Sequence, residues 1–174
     1  MLLRNTILTA LCLVIAMANT AFGQQSRSFK LDAGAAGTIA LYEGDPNWAY
    51  GAFVKGLWPI GKKDNALVGG IDYDRLSELY GDERYTYKFF LGSFGFRKTL
   101  NPFFIEFKAG IGVTKEGNYT SATGFVGIEP GVQLNWVGLS LCYRLITADD
   151  LIYGEQFNMF SLRAGFRILG NRKQ

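Results

Sequence analysis

Alternation with a period of two recurs along most of this chain, and it limits the fold more than any other feature, because residues two apart share a face only on a β-strand. From Phe29 to Tyr42 the odd positions run Phe29, Leu31, Ala33, Ala35, Gly37, Ile39, Leu41, while the even ones carry Lys30, Asp32 and Thr38 among small residues. A second segment puts Trp48, Tyr50, Ala52, Val54, Trp58 and Ile60 on one face and Lys55 on the other. The third, Ala66 to Asp74, sets Leu67, Gly69, Ile71 and Tyr73 against Val68, Gly70, Asp72 and Asp74. The fourth, Tyr85 to Phe96, sets Tyr85, Tyr87, Phe89 and Leu91 against Thr86, Lys88, Phe90 and Gly92, then loses its pattern near Phe94 and Phe96, where a bulge is expected.

The fifth segment is the most regular, with Phe103, Ile105, Phe107, Ala109, Ile111 and Val113 opposing Phe104, Glu106, Lys108, Gly110, Gly112 and Thr114. The sixth sets Val126, Ile128, Pro130, Val132, Leu134 and Trp136 against Phe125, Gly127, Glu129, Gly131, Gln133 and Asn135. The seventh has Leu139, Leu141, Tyr143 and Leu145 against Ser140, Cys142 and Arg144; the eighth has Phe160, Leu162, Ala164, Phe166 and Ile168 against Ser161, Arg163, Gly165 and Arg167. Turn signals such as Glu43-Gly44-Asp45-Pro46-Asn47 and Gly61-Lys62-Lys63-Asp64-Asn65 separate them. Eight strands of about ten residues with short connections predict an all-β, eight-stranded antiparallel up-and-down barrel, its two ends on one side. Glu43, the stretch 75–84, 115–123 and 148–156 fall at one end; Lys62, Lys63, Lys98 and the tail Arg172-Lys173 fall at the other.

Residues 1–23 read as an export signal. Arg4 is their only charge, Ile7 to Ala18 is uncharged and apolar, and Ala21-Phe22-Gly23 offers small residues for cleavage before Gln24. The remaining domain, 24–174, keeps Cys142 but not Cys12, so it must fold without an internal disulfide. No later segment is long and apolar enough for a membrane-spanning helix.

Alternation alone fits either a soluble barrel with an apolar interior or a membrane barrel with a polar one. The polar face decides, because it mixes charges with glycine (Gly34, Gly70, Gly92, Gly110, Gly112, Gly127, Gly131, Gly165), which suits a crowded eight-stranded lumen better than a solvated surface. The expected lumen charges are Lys30, Asp32, Lys55, Asp72, Asp74, Lys88, Glu106, Lys108, Glu129, Arg144, Arg163 and Arg167. Bases and acids nearly balance, as a low-dielectric interior requires. A hairpin centred near Tyr80 would set Asp72 opposite Lys88, and one near Tyr119 would bring Lys108 close to Glu129. On the apolar face Trp48 and Trp58 lie ten residues apart, which projects to roughly 25 Å at a tilt of about 40°, the height of an outer-membrane apolar band. Trp48, Tyr50, Tyr73, Tyr85 and Tyr87 would form one aromatic girdle, Trp58, Phe103 and Trp136 the other.

Signal peptide, eight alternating strands, aromatic girdles and charged lumen together resemble the small transmembrane outer-membrane β-barrels of the OmpA/OmpX type. The resemblance spans the mature chain and is one of pattern. It implies outer-membrane lipids and the barrel-assembly machinery as partners, a monomer, and the acidic loops outside. Gly165-Phe166-Arg167-Ile168 resembles the terminal strand signal such proteins show that machinery, although here Leu169 to Gln174 follow it.

Little in the sequence points to catalysis. The chain has no His, which excludes Ser-His and Cys-His sites and histidine metal centres, and outer-membrane barrels that act as enzymes generally use one. Glu106 and Glu129, both on the inward face, are the only candidates for a carboxylate pair doing acid-base work, and Lys108 and the nearby glycines favour structural ion pairing instead. Gly110-Ile111-Gly112-Val113-Thr114-Lys115 lacks the spacing of a phosphate loop, and Asp72, Asp74, Asp82 and Glu83 lack that of a calcium loop. No cofactor is expected. A formal charge of +3, with acids and bases interleaved, does not suit nucleic acid. A structural or loop-mediated surface role is expected, with a soluble lipocalin-like barrel holding an apolar ligand, or a narrow small-solute channel, as alternatives.

Overall fold

The structure, a computed structural model, describes residues 29–42, 45–61, 65–80, 83–148 and 156–170. Eight strands follow one another: β1 Lys30–Tyr42, β2 Asp45–Ile60, β3 Asn65–Tyr80, β4 Glu83–Leu100, β5 Phe103–Glu116, β6 Tyr119–Leu134, β7 Val137–Ala148 and β8 Gln156–Leu169. Each pairs antiparallel with the next, and β1 pairs with β8, so the sheet closes into a barrel and no edge is left unpaired. The expected eight-stranded antiparallel barrel is therefore the observed one. Residues 1–23, Glu43, Asp82, Asp149, Asp150, the Lys62-Lys63 turn and the Arg172-Lys173 tail lie outside the described residues.

The strands are longer than expected, 18 residues in β4 and 16 in β3, and they absorb most of 75–84 and 115–123. Tight turns allow this. Glu116 faces Tyr119 across Gly117-Asn118, where Gly117 has a φ of 54°, the left-handed conformation that glycine supplies at the first position of a two-residue hairpin. Asn135 opens the turn between β6 and β7 at a φ of 53°, one that asparagine tolerates better than most residues.

The fourth strand overturns an expectation. Its odd residues point inward: Phe89 and Leu91 are fully buried and Tyr87 nearly so, whereas Lys88, Phe90, Gly92, Phe94 and Phe96 are exposed on the outer face, so Gly92 is not one of the lumen glycines. Lys88 is thus not a lumen charge, and Tyr87 does not belong to the outer girdle. Tyr85 packs with Tyr87 against an inner apolar cluster, so it leaves the girdle too. Asp72 faces Leu91, and Lys88 faces Arg75. No bulge interrupts β4 near Phe94 or Phe96, where its registers with β3 and β5 run unbroken; the irregularity lies between Leu31 and Asp32, against β8. The misreading arises because both faces of β4 are apolar, so a single lysine outweighed the parity of Arg97, which is buried.

Elsewhere the inward residues are those expected, and they form layers along the barrel. Toward the end that holds the 61–64, 101–102 and 135–136 connections, hereafter the terminal end, the interior is mainly charged, with Leu57, Ala66 and Val68 forming a small apolar cluster beside the charges. Toward the opposite, loop end it is apolar: Ala40, Ala49, Leu76, Tyr87, Phe89, Leu91, Phe125, Ile146, Phe157 and Met159 form one buried cluster.

Candidate functional site

Among the described residues the charged layer is where the fold gathers reactive groups, and period-two geometry puts them there. Glu106 and Glu129 are direct cross-strand partners on β5 and β6, both pointing inward and both fully buried. Like charges so placed repel unless cations intervene. Lys55 supplies one, with Nζ 2.7 Å from Glu129 and 3.4 Å from Glu106. Glu129 also accepts from Lys108 Nζ and Arg163 Nη1, each at 2.9 Å, and from Ser140 Oγ at 2.7 Å. Arg97 takes the outer side of Glu106, with Nη2 at 2.8 Å and Nε at 3.0 Å, and stands 3.8 Å from Asp32.

The network continues in both directions. Toward the terminal end, Arg167 donates to Asp32 at 3.0 Å and to Gln133 at 3.2 Å. Toward the loop end, Arg163 pairs with Asp72, and Arg144 donates to Asp74 at 2.7 Å and to Ser161 at 3.2 Å. Ser161 in turn shares a 2.8 Å hydrogen bond with Thr38. Asp72 and Asp74 are therefore ion-paired and are not arranged as calcium ligands. Lys30 lies half-buried at the start of β1, and the Cys142 thiol is buried 3.9 Å from Arg163 Nη1.

Two rings complete the layer. Phe104 stacks on the Arg97 guanidinium and Phe53 on that of Arg163, each at 4.0 Å. The lumen glycines make room for them. Gly34 and Gly165 are partners across β1 and β8, and a Cβ on either would collide with the Phe53 ring; one on Gly131 would meet Phe104. At Gly110 the obstacle is the Phe125 ring and the Gly92 carbonyl, where the alternation predicted neighbouring charges.

Arg97 is the lumen charge that the alternation pattern failed to reveal, and its parity with Leu91 and Phe89 was the signal. Of the expected aromatic girdle, Trp48 is 74% exposed and Tyr50 58%, both toward the loop end. Trp136, 59% exposed, stacks on Phe166 at 5.3 Å toward the terminal end, and Trp58 packs on Phe29 at 5.1 Å.

Chemically the arrangement favours rigidity over turnover. Both candidate acid-base carboxylates are held by cations, and a cavity beside them, lined by Asp32, Lys55, Arg97 and Ser140, measures only about 10 Å³, room for a single water.

No protein-family model and no curated protein sequence matches this chain. Solved structures do. The attachment invasion locus protein Ail of Yersinia pestis superposes with a TM-score of 0.59 at 13% identity, over 82% of this chain and 99% of Ail. Neisserial surface protein A gives 0.58 at 17% identity, over 82% of this chain and 98% of its own. The outer-membrane enzyme PagL gives 0.55 at 18% identity, over 78% and 98%. By strand number, order and closure, this chain has the fold of the small eight-stranded outer-membrane β-barrels.

Proposed function

We propose that this chain is exported and inserts into the bacterial outer membrane as a monomeric, non-conducting barrel whose role is structural or carried by its surface. The carrying observation is the inversion of polarity: Ile111 is 78% exposed on the outer face while Arg163 and Glu129 are buried inside. Water would favour the reverse arrangement; lipid favours this one, since a closed barrel satisfies every ladder hydrogen bond within the sheet. The three superposed proteins support the same location, although one is described as an attachment and invasion protein and another as an enzyme, so the fold does not choose a role.

Two plugs support the non-conducting reading, ion pairs toward the terminal end and packed rings toward the loop end. A lipocalin-like ligand site would need an empty apolar interior, and here that half of the lumen is filled by its own side chains. The short connections 43–44, 81–82 and 117–118 leave 149–155 as the longest at the loop end, and that segment is the proposed outside contact. Barrel-assembly machinery and outer-membrane lipids are the proposed partners. Envelope fractionation and planar-bilayer recording test the reading together: the protein should sediment with outer membranes and give no steady current. Recovery from a detergent-free soluble fraction, or large stable channels, would refute it.

A further inference from the structure

One feature of the outer face is out of place on an apolar band. Arg75 on β3, Lys88 on β4 and Lys115 on β5 are consecutive cross-strand partners, all on the outward parity of their strands. Tyr50 and Thr120 extend the same row to β2 and β6. Five adjacent strands thus present a phenol, a guanidinium, two ammonium groups and a hydroxyl, all hydrogen-bond donors. Directly opposed like charges destabilise a sheet unless something neutralises them. No carboxylate does so among the described residues. Lys88 and Lys115 have no ion-pair partner there, and Arg75 reaches only the Tyr50 hydroxyl, at 3.2 Å. Its Nε is shielded from solvent without a hydrogen-bond partner.

The position of the row identifies what it meets. The next outward row toward the terminal end is Ala52, Tyr73, Phe90, Val113 and Ala122, with Tyr73 and Phe90 in ring contact at 5.0 Å. Beyond it come Ile71 and Ile111, then Phe94 and Val126, then Phe96 and Phe107; the next outward cation on β4 is Lys98. Lys88 and Lys98 are ten residues apart on one strand, so at about 3.3 Å per residue and a tilt of about 40° they bracket an apolar height of roughly 25 Å. At a strand spacing of about 4.8 Å, Arg75 and Lys115 stand about 10 Å apart.

We infer that Arg75, Lys88 and Lys115 form a binding row for the phosphate groups of a lipid head group in the leaflet next to the loop end. The lower neighbours of the row take the acyl chains, and its cations take the phosphates, with Tyr50 and Thr120 able to donate at either side. The inference rests on the insertion proposed above, and salt should weaken the contact because it is electrostatic at an interface.

The test uses the mature barrel folded in zwitterionic detergent micelles, its folding verified by the heat-dependent gel shift. Thermal unfolding is followed while phosphatidic acid, phosphatidylcholine or inorganic phosphate is added, since a ligand that binds only the folded state raises the midpoint. Phosphatidic acid should raise it at concentrations where the other two do not. The combined variant Arg75→Gln, Lys88→Gln, Lys115→Gln should need at least tenfold more of that lipid, the single variants Lys88→Gln and Lys115→Gln should fall between, and Lys98→Gln should match the parent. A folded parent that responds equally to both lipids, a Gln variant that responds like the parent, or an equal response to inorganic phosphate would overturn the lipid row and leave insertion itself intact. A parent that never folds in micelles would refute insertion and the row with it.

Discussion

Arg163 and Phe157 point into the same lumen from the same strand, six residues apart, and are held by opposite means. Arg163 is fixed by Asp72, Glu129 and the face of Phe53, whereas Phe157 packs edge-on against Tyr87 and Phe89 at ring distances of 5.6 and 5.4 Å. The first half of the interior depends on every charge having its partner. The second depends on volume, and truncation there costs the packing of the removed atoms and the void they leave. The two halves should therefore respond differently to truncation.

The largest effect is expected at Glu129. Glu129→Ala strips the acceptor from Lys55, Lys108 and Arg163 at once, and leaving buried charges unpaired should lower the unfolding free energy by about 3 to 5 kcal/mol, toward the upper end of that range. Urea unfolding of the barrel in lipid vesicles measures it, and a loss below about 1 kcal/mol would mean that the charged half is wet. In the apolar half, Phe157→Ala should cost about 3 kcal/mol by opening a cavity against Tyr87 and Phe89. Ile146→Val, which removes one methylene from the same cluster, should cost about 1 kcal/mol. Adding 1 M salt should weaken neither of the last two.

The smallest expected effect is the sharpest about β4. Lys88→Ala, on an exposed outer position, should change stability by no more than about 0.5 kcal/mol. Were Lys88 a lumen charge, the same change would cost as much as the loss of Lys108, and the inward packing of Tyr87, Phe89 and Leu91 would be wrong.

That strand also shows where the sequence was legible. In the charged half, the inward positions of β5 and β8 are polar or glycine apart from Phe104, and the outward ones are apolar or small, so alternation identifies both faces of these two strands. Lys108 meets Glu129 as the hairpin arithmetic expected. In the apolar half the inward residues are as hydrophobic as the outward ones, and the period-two signal disappears. Nothing in Tyr85, Tyr87, Phe89 and Leu91 says which way they point; only their shared parity with Arg97, a few residues on, does. The strands likewise outran their expected ends because 75–84 and 115–123 look like loops by composition, while the two-residue turn at Gly117-Asn118 lets pairing continue almost to the tip. The stacking of Phe53 and Phe104 on arginines was not legible, since it joins residues from strands far apart in sequence.

An inserted barrel of this kind turns its apolar side chains outward into lipid and its charges inward. Ile111 tests this arrangement most directly, because it lies near the middle of the outer band at 78% exposure. The parent and Ile111→Arg are folded into phosphatidylcholine vesicles and compared by the heat-dependent gel shift. The parent should fold and shift, and the variant should fold to a clearly smaller fraction, since an arginine near the bilayer midplane costs about 2 to 4 kcal/mol. A variant that folds as completely as the parent, or a parent that forms a stable monomer in plain buffer, would contradict this arrangement.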